Sequence, residues 1–297
     1  MKYSVNDIEK IIYAYLPKEE GYAKPVLEAM NYAFRAGGKR LRPMMMRLCY
    51  DMYAGEENRQ EQVIGLFMAA IEMIHTYSLI HDDLPALDND ALRRGKPTVH
   101  VQYGEDIAIL AGDGLLNYAY ETAAKAFSLM PGNISVEKAY QVLATKPGIY
   151  GMVGGQTLDV IMSGKKIDKD ELSYIYLNKT SALIACSMMT GALLGGADTE
   201  AVDKLEEAAC AIGMAFQVQD DILDIIGDEN KLGKPVNSDE KNEKYTYVTL
   251  HGMDRAKKYV HDMSERANTI IETLSVRDEA AKQELMILID TLIDRDR

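Results

Sequence analysis

Residues 63–83 read VIGLFMAAIEMIHTYSLIHDD, an apolar run of helical period that ends in two adjacent aspartates. Apolar side chains recur three and four residues apart along it, at Ile64, Phe67, Met68, Ile71 and Ile74. Pro85 follows at once and ends or kinks a helix, so the sequence predicts a long helix with Asp82 and Asp83 in its last turn. The apolar pattern of this helix indicates the fold, and the aspartates at its end indicate the chemistry.

Helical periodicity extends over almost the whole chain. Further helices are predicted at about 105–129, 135–161, 169–195, 199–226, 253–272 and 277–293. Gly and Pro fall between these segments, alternating β patterns are scarce, and no Ser/Pro/Gly-rich linker divides the 297 residues. The sequence therefore predicts a single all-α domain over residues 1–297. Its nearly uncharged helices would be buried on all sides or packed against a second subunit.

The segment 180–197 carries no charged side chain, which raises the question of a membrane span. Its Ser, Thr and Gly residues lower its hydropathy and favour close backbone packing, so we expect a buried central helix instead. The polar residues 1–10 have the pattern of neither a signal nor a transit peptide. Cys49, Cys186 and Cys210 are scattered singly, as in a reducing compartment. A cytoplasmic protein without stable membrane insertion is expected.

The formal charge of the protein is −13, from 46 acidic and 33 basic side chains. A nucleic-acid partner is not expected, because the protein has no overall basic surface to neutralise a phosphate backbone. An acidic protein can still bind a smaller polyanion, provided that a local basic cluster and bound metal ions neutralise it.

Two clusters of aspartates interrupt the apolar pattern: Asp82, Asp83 and Asp88 at the end of one helix, and Asp220, Asp221 and Asp224 inside another. Carboxylates at a helix C-terminus oppose the macrodipole, and like charges four residues apart repel, each costing roughly 0.2–1 kcal/mol. A shared cation explains both clusters, whereas a solvated acidic loop is the alternative for the first. Oxygen ligands alone favour Mg²⁺, with Mn²⁺ able to substitute.

Basic residues stand where they could bind phosphate beside such a metal. Three cations lie in the run Gly-Gly-Lys-Arg-Leu-Arg-Pro, at Lys39, Arg40 and Arg42, and Arg93 and Arg94 follow the first aspartate cluster. Arginine binds phosphate bidentately, whereas lysine acts as a point charge. Three further lysines fall singly at helix ends or in loops, where a solvated surface lysine is the alternative: Lys179, Lys234 and Lys244.

Together these motifs resemble the trans-polyprenyl diphosphate synthases. The matching elements are, in order, Gly-Gly-Lys-Arg-Leu-Arg-Pro, Asp-Asp-x-x-x-x-Asp with Arg-Arg-Gly-Lys-Pro-Thr after it, Lys179-Thr180, Phe216-Gln217, Asp-Asp-x-x-Asp and Gly233-Lys234. They run from about residue 30 to residue 250 in the family's order and spacing. The four-residue spacer in the first aspartate motif is similar to that of bacterial farnesyl and plant-type geranylgeranyl synthases. The resemblance implies a bundle of about ten or more helices around a central cavity.

The resemblance also implies a role for each motif. Three Mg²⁺ ions would be held by Asp82, Asp83, Asp88, Asp220, Asp221 and Asp224. The diphosphate of an allylic substrate would be bound by Arg93, Lys179 and Lys234. The diphosphate of isopentenyl diphosphate would be bound without metal by Lys39, Arg42, His75 and Arg94, and Lys244 joins the substrate-binding set. Catalytic oxygens would come from Thr180 and Gln217, which face the allylic carbocation formed when the C–O bond ionises.

The length of the product can also be predicted from the resemblance. In this family the growing tail descends along the helix before the first aspartate cluster, so side chains about one turn earlier form a floor. Tyr77 lies five residues before Asp82, and Ser78 lies four residues before it. Tyr77 should stop chains beyond fifteen carbons, the alternative being an ordinary core tyrosine. Farnesyl diphosphate is the predicted product, with the twenty-carbon geranylgeranyl diphosphate as the alternative.

Three other functions fit the residues less well. A terpene cyclase usually carries Asn/Asp-x-x-Ser/Thr-x-x-x-Glu as its second motif and lacks the basic isopentenyl site, which Lys39 and Arg42 provide here. A non-catalytic partner subunit typically loses aspartates from one cluster, and a plain Ca²⁺-binding protein would not need Lys179. The resemblance further implies a homodimer, with the uncharged helices between about 105 and 195 as the candidate interface.

Overall fold

The protein is described by a computed structural model that covers residues 2–226 and 245–293. Its helices are α1 (Val5–Tyr13), α2 (Lys24–Phe34), α3 (Leu41–Tyr53), α4 (Glu61–Asp82), α5 (Val99–Tyr103), α6 (Glu105–Leu129), α7 (Ile134–Thr145), α8 (Met152–Met162), α9 (Lys169–Ile175), α10 (Ala182–Gly195), α11 (Thr199–Ile226), α12 (Tyr247–His251), α13 (Met253–Glu272) and α14 (Glu279–Ile293). A 3₁₀ turn, Glu56–Asn58, precedes α4, and a π-helical turn, Tyr176–Ser181, joins α9 to α10. Two short antiparallel strands, β1 (Leu92–Arg93) and β2 (Lys96–Pro97), form a hairpin. The predicted all-α class is confirmed.

Helix α4 lies at the centre of the fold. It packs against α1, α2, α3, α6 and α10, and most of its side chains are buried. Among the described residues it is the one helix long and apolar enough to cross a membrane, and 83% of its most apolar stretch is buried inside the protein. Helix α4 is apolar on nearly every face, so it is stable in water only when other helices cover it on all sides. The helix that the sequence predicts at residues 63–83 is therefore a core helix that ends at the first aspartate cluster.

Helix α10 packs against α3 at a distance that only glycine permits. A Cβ atom at Gly191 would lie 2.1 Å from the carbonyl oxygen of Met46, and one at Gly195 would lie 2.6 Å from that of Tyr50. Nearly every residue of α10 is buried as a result. The uncharged segment 180–197 therefore belongs to the core, and its glycines serve the close backbone packing that the sequence predicts.

Two local features differ from the expectations. The helix predicted at about 135–161 is divided into α7 and α8, because Pro147 and the glycines beside it interrupt the helix. Gly151 takes backbone angles of −140° and −124°, and a Cβ there would lie 1.9 Å from the carbonyl oxygen of Lys146. Helix α3 begins at Leu41, so Pro43 occupies its third position, whereas proline is found most often at the first position of a helix.

Candidate active site

The first aspartate cluster is assembled by a loop that folds back on the end of α4. Asp82 is the last residue of that helix, and the backbone N–H of Asp88 donates to the carbonyl oxygen of Asp82 at 2.9 Å. On the other side, Gln156 of α8 donates its amide to Asp82 Oδ1, also at 2.9 Å. Burial raises the pKa of Asp82 to about 6, with Asp88 adding to the effect and Lys179 opposing it. An ionised Asp82 therefore needs a compensating positive charge.

Asp83 has a partner within the protein. Its carboxylate is 3% exposed and accepts hydrogen bonds from Arg93 Nε at 2.8 and 2.9 Å and from Arg93 Nη2 at 2.5 Å. Burial raises the pKa of Asp83, and the Arg93 guanidinium opposes that rise. The hairpin of β1 and β2 brings Arg93 back to Asp83. One residue assigned to a metal and one assigned to a diphosphate thus form an ion pair in this structure.

The second aspartate cluster lies near the end of α11. Asp221 and Asp224 are each 3% exposed, and Asp220 is half-buried. The Asp221 carboxylate accepts a hydrogen bond from the Tyr176 hydroxyl at 2.5 Å and one from the Tyr247 backbone N–H at 2.9 Å. Asp221 therefore ties α11 to the π-helical turn and to α12. Asp220 and Asp224 stand one helical turn apart, as the sequence spacing predicts.

Two residues of the π-helical turn, Lys179 and Thr180, are predicted site residues. The ammonium of Lys179 lies 2.6 Å from Asp159 Oδ2, on α8, and the Thr180 hydroxyl donates to Gln217 Oε1 at 2.9 Å. Burial acts to lower the pKa of Lys179, but Asp159 and the more distant Asp82 outweigh it and raise the pKa. Lys179 is therefore a firmly protonated cation close to the first aspartate cluster.

Helix α8 approaches the π-helical turn closely because of Gly155. A Cβ atom at Gly155 would lie 2.2 Å from the backbone nitrogen of Lys179 and 2.8 Å from the carbonyl carbon of Asn178. The same helix carries Gln156 and Asp159 three residues apart, so both side chains project from one face. This close approach brings Gln156 to Asp82 and Asp159 to Lys179.

Three of the predicted isopentenyl residues, Arg42, His75 and Arg94, lie close together beside the first cluster. The hairpin tip meets the loop before α3, where the Arg94 guanidinium donates to the carbonyl oxygen of Gly37. Gly38 has a φ of 130°, and a Cβ there would lie 2.7 Å from Arg94 Cζ. Arg42 and His75 line one cavity together. Burial, followed by the charge of Arg42, lowers the pKa of His75 well below its usual value, so the imidazole is neutral in the free protein.

A cavity of about 490 Å³ runs beside the end of α4. Its polar lining includes Arg42, His75 and Lys179, which are predicted to bind diphosphate groups, and Asp82, which is a predicted metal ligand. Its other walls are largely apolar and come from α4, α8 and α10, including Met152, Val153, Val160, Ile161 and Leu183. A cavity with a charged region and apolar walls matches a substrate that has an anionic head and a hydrocarbon tail.

Tyr77 and Ser78, the predicted chain-length residues, both line this cavity. The Tyr77 ring is 7% exposed and meets the His81 ring edge to face, with centroids 5.8 Å apart. His81 Nε2 lies 3.2 Å from the carbonyl oxygen of Ile109, and a Cβ at Gly112 would lie 2.1 Å from that nitrogen. His81 therefore supports Tyr77 from the side of α6.

A second, smaller cavity of about 90 Å³ lies beside Lys179. Its polar lining includes Asp159, Gln217 and Asp221, and Lys179 lines both cavities. The first aspartate cluster thus contributes Asp82 to one cavity and the second contributes Asp221 to the other. The two clusters, far apart in sequence, therefore contribute to two cavities that share Lys179.

The donor set fits Mg²⁺. Within residues 2–226 and 245–293, no group of three His, Cys, Asp or Glu side chains is close enough to hold a metal ion unaided. Asp82 and Asp88 nevertheless meet at the folded-back loop, and burial raises the pKa of Asp82 even though Lys179 opposes the rise. Mg²⁺ keeps several waters and takes one or two carboxylates together with substrate phosphates, which is what these residues can offer.

Two predicted site residues, Lys234 and Lys244, lie outside the described residues, and three residues at the site were not predicted. Sequence reasoning missed Gln156 and Asp159, although their spacing of three on one helix face after Gly154-Gly155 is a signal that could have found them. It also missed Tyr176, whose contact with the second cluster crosses between two helical segments.

Comparison with known proteins relates this site to a family. The sequence model of the polyprenyl synthetase family matches residues 23–288. The chain is 45% identical over 253 residues to the farnesyl diphosphate synthase of Geobacillus stearothermophilus, covering 84% of this chain and 83% of the relative. It is 41% identical to the chloroplastic geranylgeranyl pyrophosphate synthase of Capsicum annuum, covering 91% of this chain and 71% of that one.

A solved structure has a similar fold. It is the geranyltransferase of Helicobacter pylori complexed with magnesium and isoprenyl diphosphate, with a TM-score of 0.87 and 30% sequence identity. The superposition covers 98% of this chain and 95% of that chain. The residues matched to the family, 23–288, include both aspartate clusters.

Proposed function

The chain belongs to the polyprenyl synthetase family, and from that premise we propose that it is a Mg²⁺-dependent farnesyl diphosphate synthase. Such an enzyme condenses isopentenyl diphosphate head-to-tail with dimethylallyl diphosphate and then with geranyl diphosphate. That the chain is a prenyltransferase follows from the family and from its relatives. The observation that carries the choice of product is the cavity in which Asp82 and Lys179 lie beside apolar walls and Tyr77.

The allylic diphosphate would bind between the two aspartate clusters. Asp82, Asp88 and Asp220 would hold Mg²⁺, with Asp83, Asp221 and Asp224 in support. Mg²⁺, or Mn²⁺ in its place, would supply positive charge to the leaving diphosphate. Three cations would bind the same group: Arg93, Lys179 and Lys234. The position of Lys179 between the two cavities supports this assignment.

Isopentenyl diphosphate would bind beside the hairpin tip, through Lys39, Arg42, His75 and Arg94. The cations of this set supply charge without metal, and bidentate guanidinium contacts match a diphosphate. A neutral His75 can both donate and accept a hydrogen bond, so it can bind a diphosphate oxygen without adding a fourth charge. Lys244 completes the proposed substrate-binding set.

The reaction breaks the allylic C–O bond, and the diphosphate leaves with the electron pair. Thr180 uses its proton in the hydrogen bond to Gln217, so the oxygen lone pairs of Thr180 can face the allylic carbocation. The isopentenyl double bond then forms the new C–C bond, and the resulting cation loses a proton to the released pyrophosphate. Neither step requires a nucleophilic side chain.

The length of the product would be set by Tyr77, with Ser78 beside it. The Tyr77 ring lines the cavity and is held laterally by His81, and both observations support a role in limiting the growing tail. The alternative is geranylgeranyl diphosphate synthase. That alternative is favoured by the 41% identity to the Capsicum annuum enzyme, which is near the 45% identity to the farnesyl enzyme.

We also propose that the protein is a homodimer and that it is cytoplasmic. A homodimer would cover the apolar side chains that α6 exposes, among them Ile109 and Leu110 at 46% and 52% exposure. The single domain, residues 1–297, would act in the cytoplasm, where Cys49, Cys186 and Cys210 would stay reduced.

The experiment that tests the proposal combines the purified protein with Mg²⁺, labelled isopentenyl diphosphate and either dimethylallyl or geranyl diphosphate. Chain lengths are then resolved by chromatography after removal of the diphosphate. We expect products to accumulate at fifteen carbons and to require the metal. Twenty-carbon products would replace the farnesyl assignment by the geranylgeranyl one, and no elongation from either starter would refute the reaction itself.

A further inference from the structure

Arg40 is the cation of the Gly-Gly-Lys-Arg-Leu-Arg-Pro run that the proposed function does not use, and it is buried. Its side chain has no exposed surface, and its guanidinium donates to Glu72 Oε1 at 2.7 Å and to the Phe34 carbonyl oxygen at 2.7 Å. Further bonds reach the Tyr13 hydroxyl at 2.9 Å and Glu9 Oε1 at 3.0 Å. Four acceptors from α1, α2 and α4 thus converge on one guanidinium.

The backbone of Arg40 is held in an unusual conformation. Its φ of 49° and ψ of 39° lie in the left-handed region, which a residue with a Cβ atom adopts at an energetic cost. Arg40 is also the N-cap of α3, so its angles set the direction in which the chain enters that helix. The bonds to its guanidinium therefore fix the turn between Lys39, which precedes it, and Arg42, which follows in the first turn of α3.

Glu72 lies at the base of the same cationic group. Its side chain is 3% exposed, it pairs with Arg40, and it stands one helical turn before His75 on α4. Burial lowers the pKa of both Arg42 and Arg94, and the charge of Glu72 opposes that lowering in each. The negative charge of one buried carboxylate therefore acts on three guanidinium groups at once.

Arg42 retains an unused donor in this arrangement. Its Nε is buried and has no hydrogen-bond partner within the described part of the chain. A buried N–H without a partner is unfavourable unless a ligand supplies the acceptor. Because Arg42 lines the cavity beside His75, a diphosphate oxygen arriving there would provide it.

We propose that Arg40 is a positioning residue for isopentenyl diphosphate, bonded to Glu72, Glu9 and Tyr13 so that the turn presents Lys39 and Arg42 to the diphosphate. Arg40 itself does not touch the substrate. Helix α1 thereby becomes part of the support of the isopentenyl site, since Glu9 and Tyr13 both belong to it. The inference rests on the proposed function, which assigns Lys39 and Arg42 to that substrate.

The test substitutes Arg40→Lys, which keeps the charge but cannot reach four acceptors from one planar group. We expect the KM for isopentenyl diphosphate to rise about tenfold or more, because a small displacement of binding groups has large effects. The KM for the allylic substrate should stay within about twofold, since Lys179 and the aspartates are untouched. Calorimetry with isopentenyl diphosphate in the presence of EDTA should give a matching loss of affinity.

Tyr13→Phe provides a milder variant, because it removes one acceptor of Arg40 and leaves the ring packing in place. It should raise the KM for isopentenyl diphosphate in the same direction but by less. The matched control is Arg47→Lys, a change at a buried arginine that pairs with Asp51 and Glu61 and lines neither cavity. That variant should lose thermal stability while keeping both KM values.

The outcomes separate the two proposals. If the wild-type protein elongates allylic starters but Arg40→Lys and Tyr13→Phe keep a normal KM for isopentenyl diphosphate, the positioning role is refuted and the proposed function stands. Equal rises in both KM values would also refute it, because they would indicate a general loss of structure. If Arg40→Lys fails to fold, the Tyr13→Phe result decides. Absence of elongation by the wild-type protein would refute the proposed function instead.

Discussion

The ammonium of Lys179 and the carboxylate of Asp159 lie 2.6 Å apart, and this ion pair stands between the two cavities of the site. A lysine is a flexible point charge, so a fixed carboxylate is needed to hold it near the first aspartate cluster before a substrate arrives. The same pair must loosen when a diphosphate competes for the ammonium. Asp159 therefore holds Lys179 in place in the free protein.

Replacing Asp159 by Asn should weaken this arrangement without unfolding the protein. The Lys179 ammonium would lose its nearest negative charge, so we expect kcat/KM for the allylic substrate to fall about tenfold. Lys179→Met should cost about a hundredfold or more, since a cation at the leaving group is then missing. Steady-state kinetics with geranyl diphosphate measures both changes.

Glu206→Gln is the control for Asp159→Asn. Glu206 forms an ion pair with Lys146, another partly exposed lysine, and neither residue lines either cavity. This variant should keep its kinetic constants. A loss of activity equal to that of Asp159→Asn would mean that breaking any such ion pair damages the fold.

Asp82→Asn should stabilise the metal-free protein at neutral pH. Burial raises the pKa of Asp82 from 3.8 to about 6, so at pH 7 the ionised carboxylate destabilises the folded state relative to the unfolded chain. Asparagine removes that charge and still offers an oxygen to Gln156. We expect a gain of about 1–3 kcal/mol in the free energy of unfolding above pH 6. The gain should vanish as the pH falls from 6 towards 4.

Urea unfolding with EDTA, at pH 7.5 and pH 4.5, measures this difference. Asp203→Asn, at an exposed carboxylate on α11, is the control and should change little at either pH. A destabilised Asp82→Asn protein at pH 7.5 would refute the electrostatic account. The variant should also be inactive, because a proposed metal ligand is lost.

Tyr77→Ala should lengthen the product. Removing the ring opens the cavity beyond Tyr77, and we expect products of twenty carbons or more in place of fifteen. Tyr77→Phe is the matched control, because it keeps the ring against His81 and should keep the fifteen-carbon product. Chromatography of the dephosphorylated products decides, and an unchanged length in Tyr77→Ala would remove Tyr77 from the role of floor.

Gly191→Ala should destabilise the protein by about 2 kcal/mol or more, because the added methyl meets the backbone of α3 and forces the helices apart. The clash is with the Met46 carbonyl oxygen, at 2.1 Å. Gly114→Ala on α6 is the control, since the nearest atom to its methyl would be the Sδ of the flexible Met30, at 3.0 Å. Alanine is the better helix former by about 1 kcal/mol, which offsets that contact. Thermal melting compares the two, and equal melting temperatures would contradict the packing argument.

The sequence predicted helix α4 well, because the period of its apolar residues, the length of the apolar run and the proline after it all indicate the same helix. Helix α4 ends at Asp82, just before Pro85, as the sequence predicts. The break between α7 and α8 was missed, because apolar periodicity continues on both sides of Pro147. The end of α4 was therefore predicted correctly. At Pro147 the apolar period indicated a continuous helix and the proline indicated a break, and the prediction followed the period.

The site was predictable where a motif carries it and unpredictable where tertiary contacts decide. The grouping of Asp82 with Lys179 follows the resemblance, and the structure brings both to one cavity. The ion pair of Asp83 with Arg93 could not be predicted, because it depends on how the hairpin folds back. The ion pair of Glu72 with Arg40 could not be predicted either, because the sequence around Glu72 does not indicate which arginine it contacts.

Because of the π-helical turn Tyr176–Ser181, the continuous helical segment from α9 to α10 must contain a fixed number of residues. A π turn accommodates one more residue than an α turn, and deleting a single residue would restore regular α-helix. Every side chain after the deletion would then rotate by about 100° relative to those before it. Thr180 would turn away from Gln217, and Gly191 would no longer face α3. Insertions and deletions in this segment should therefore be far less tolerated than substitutions.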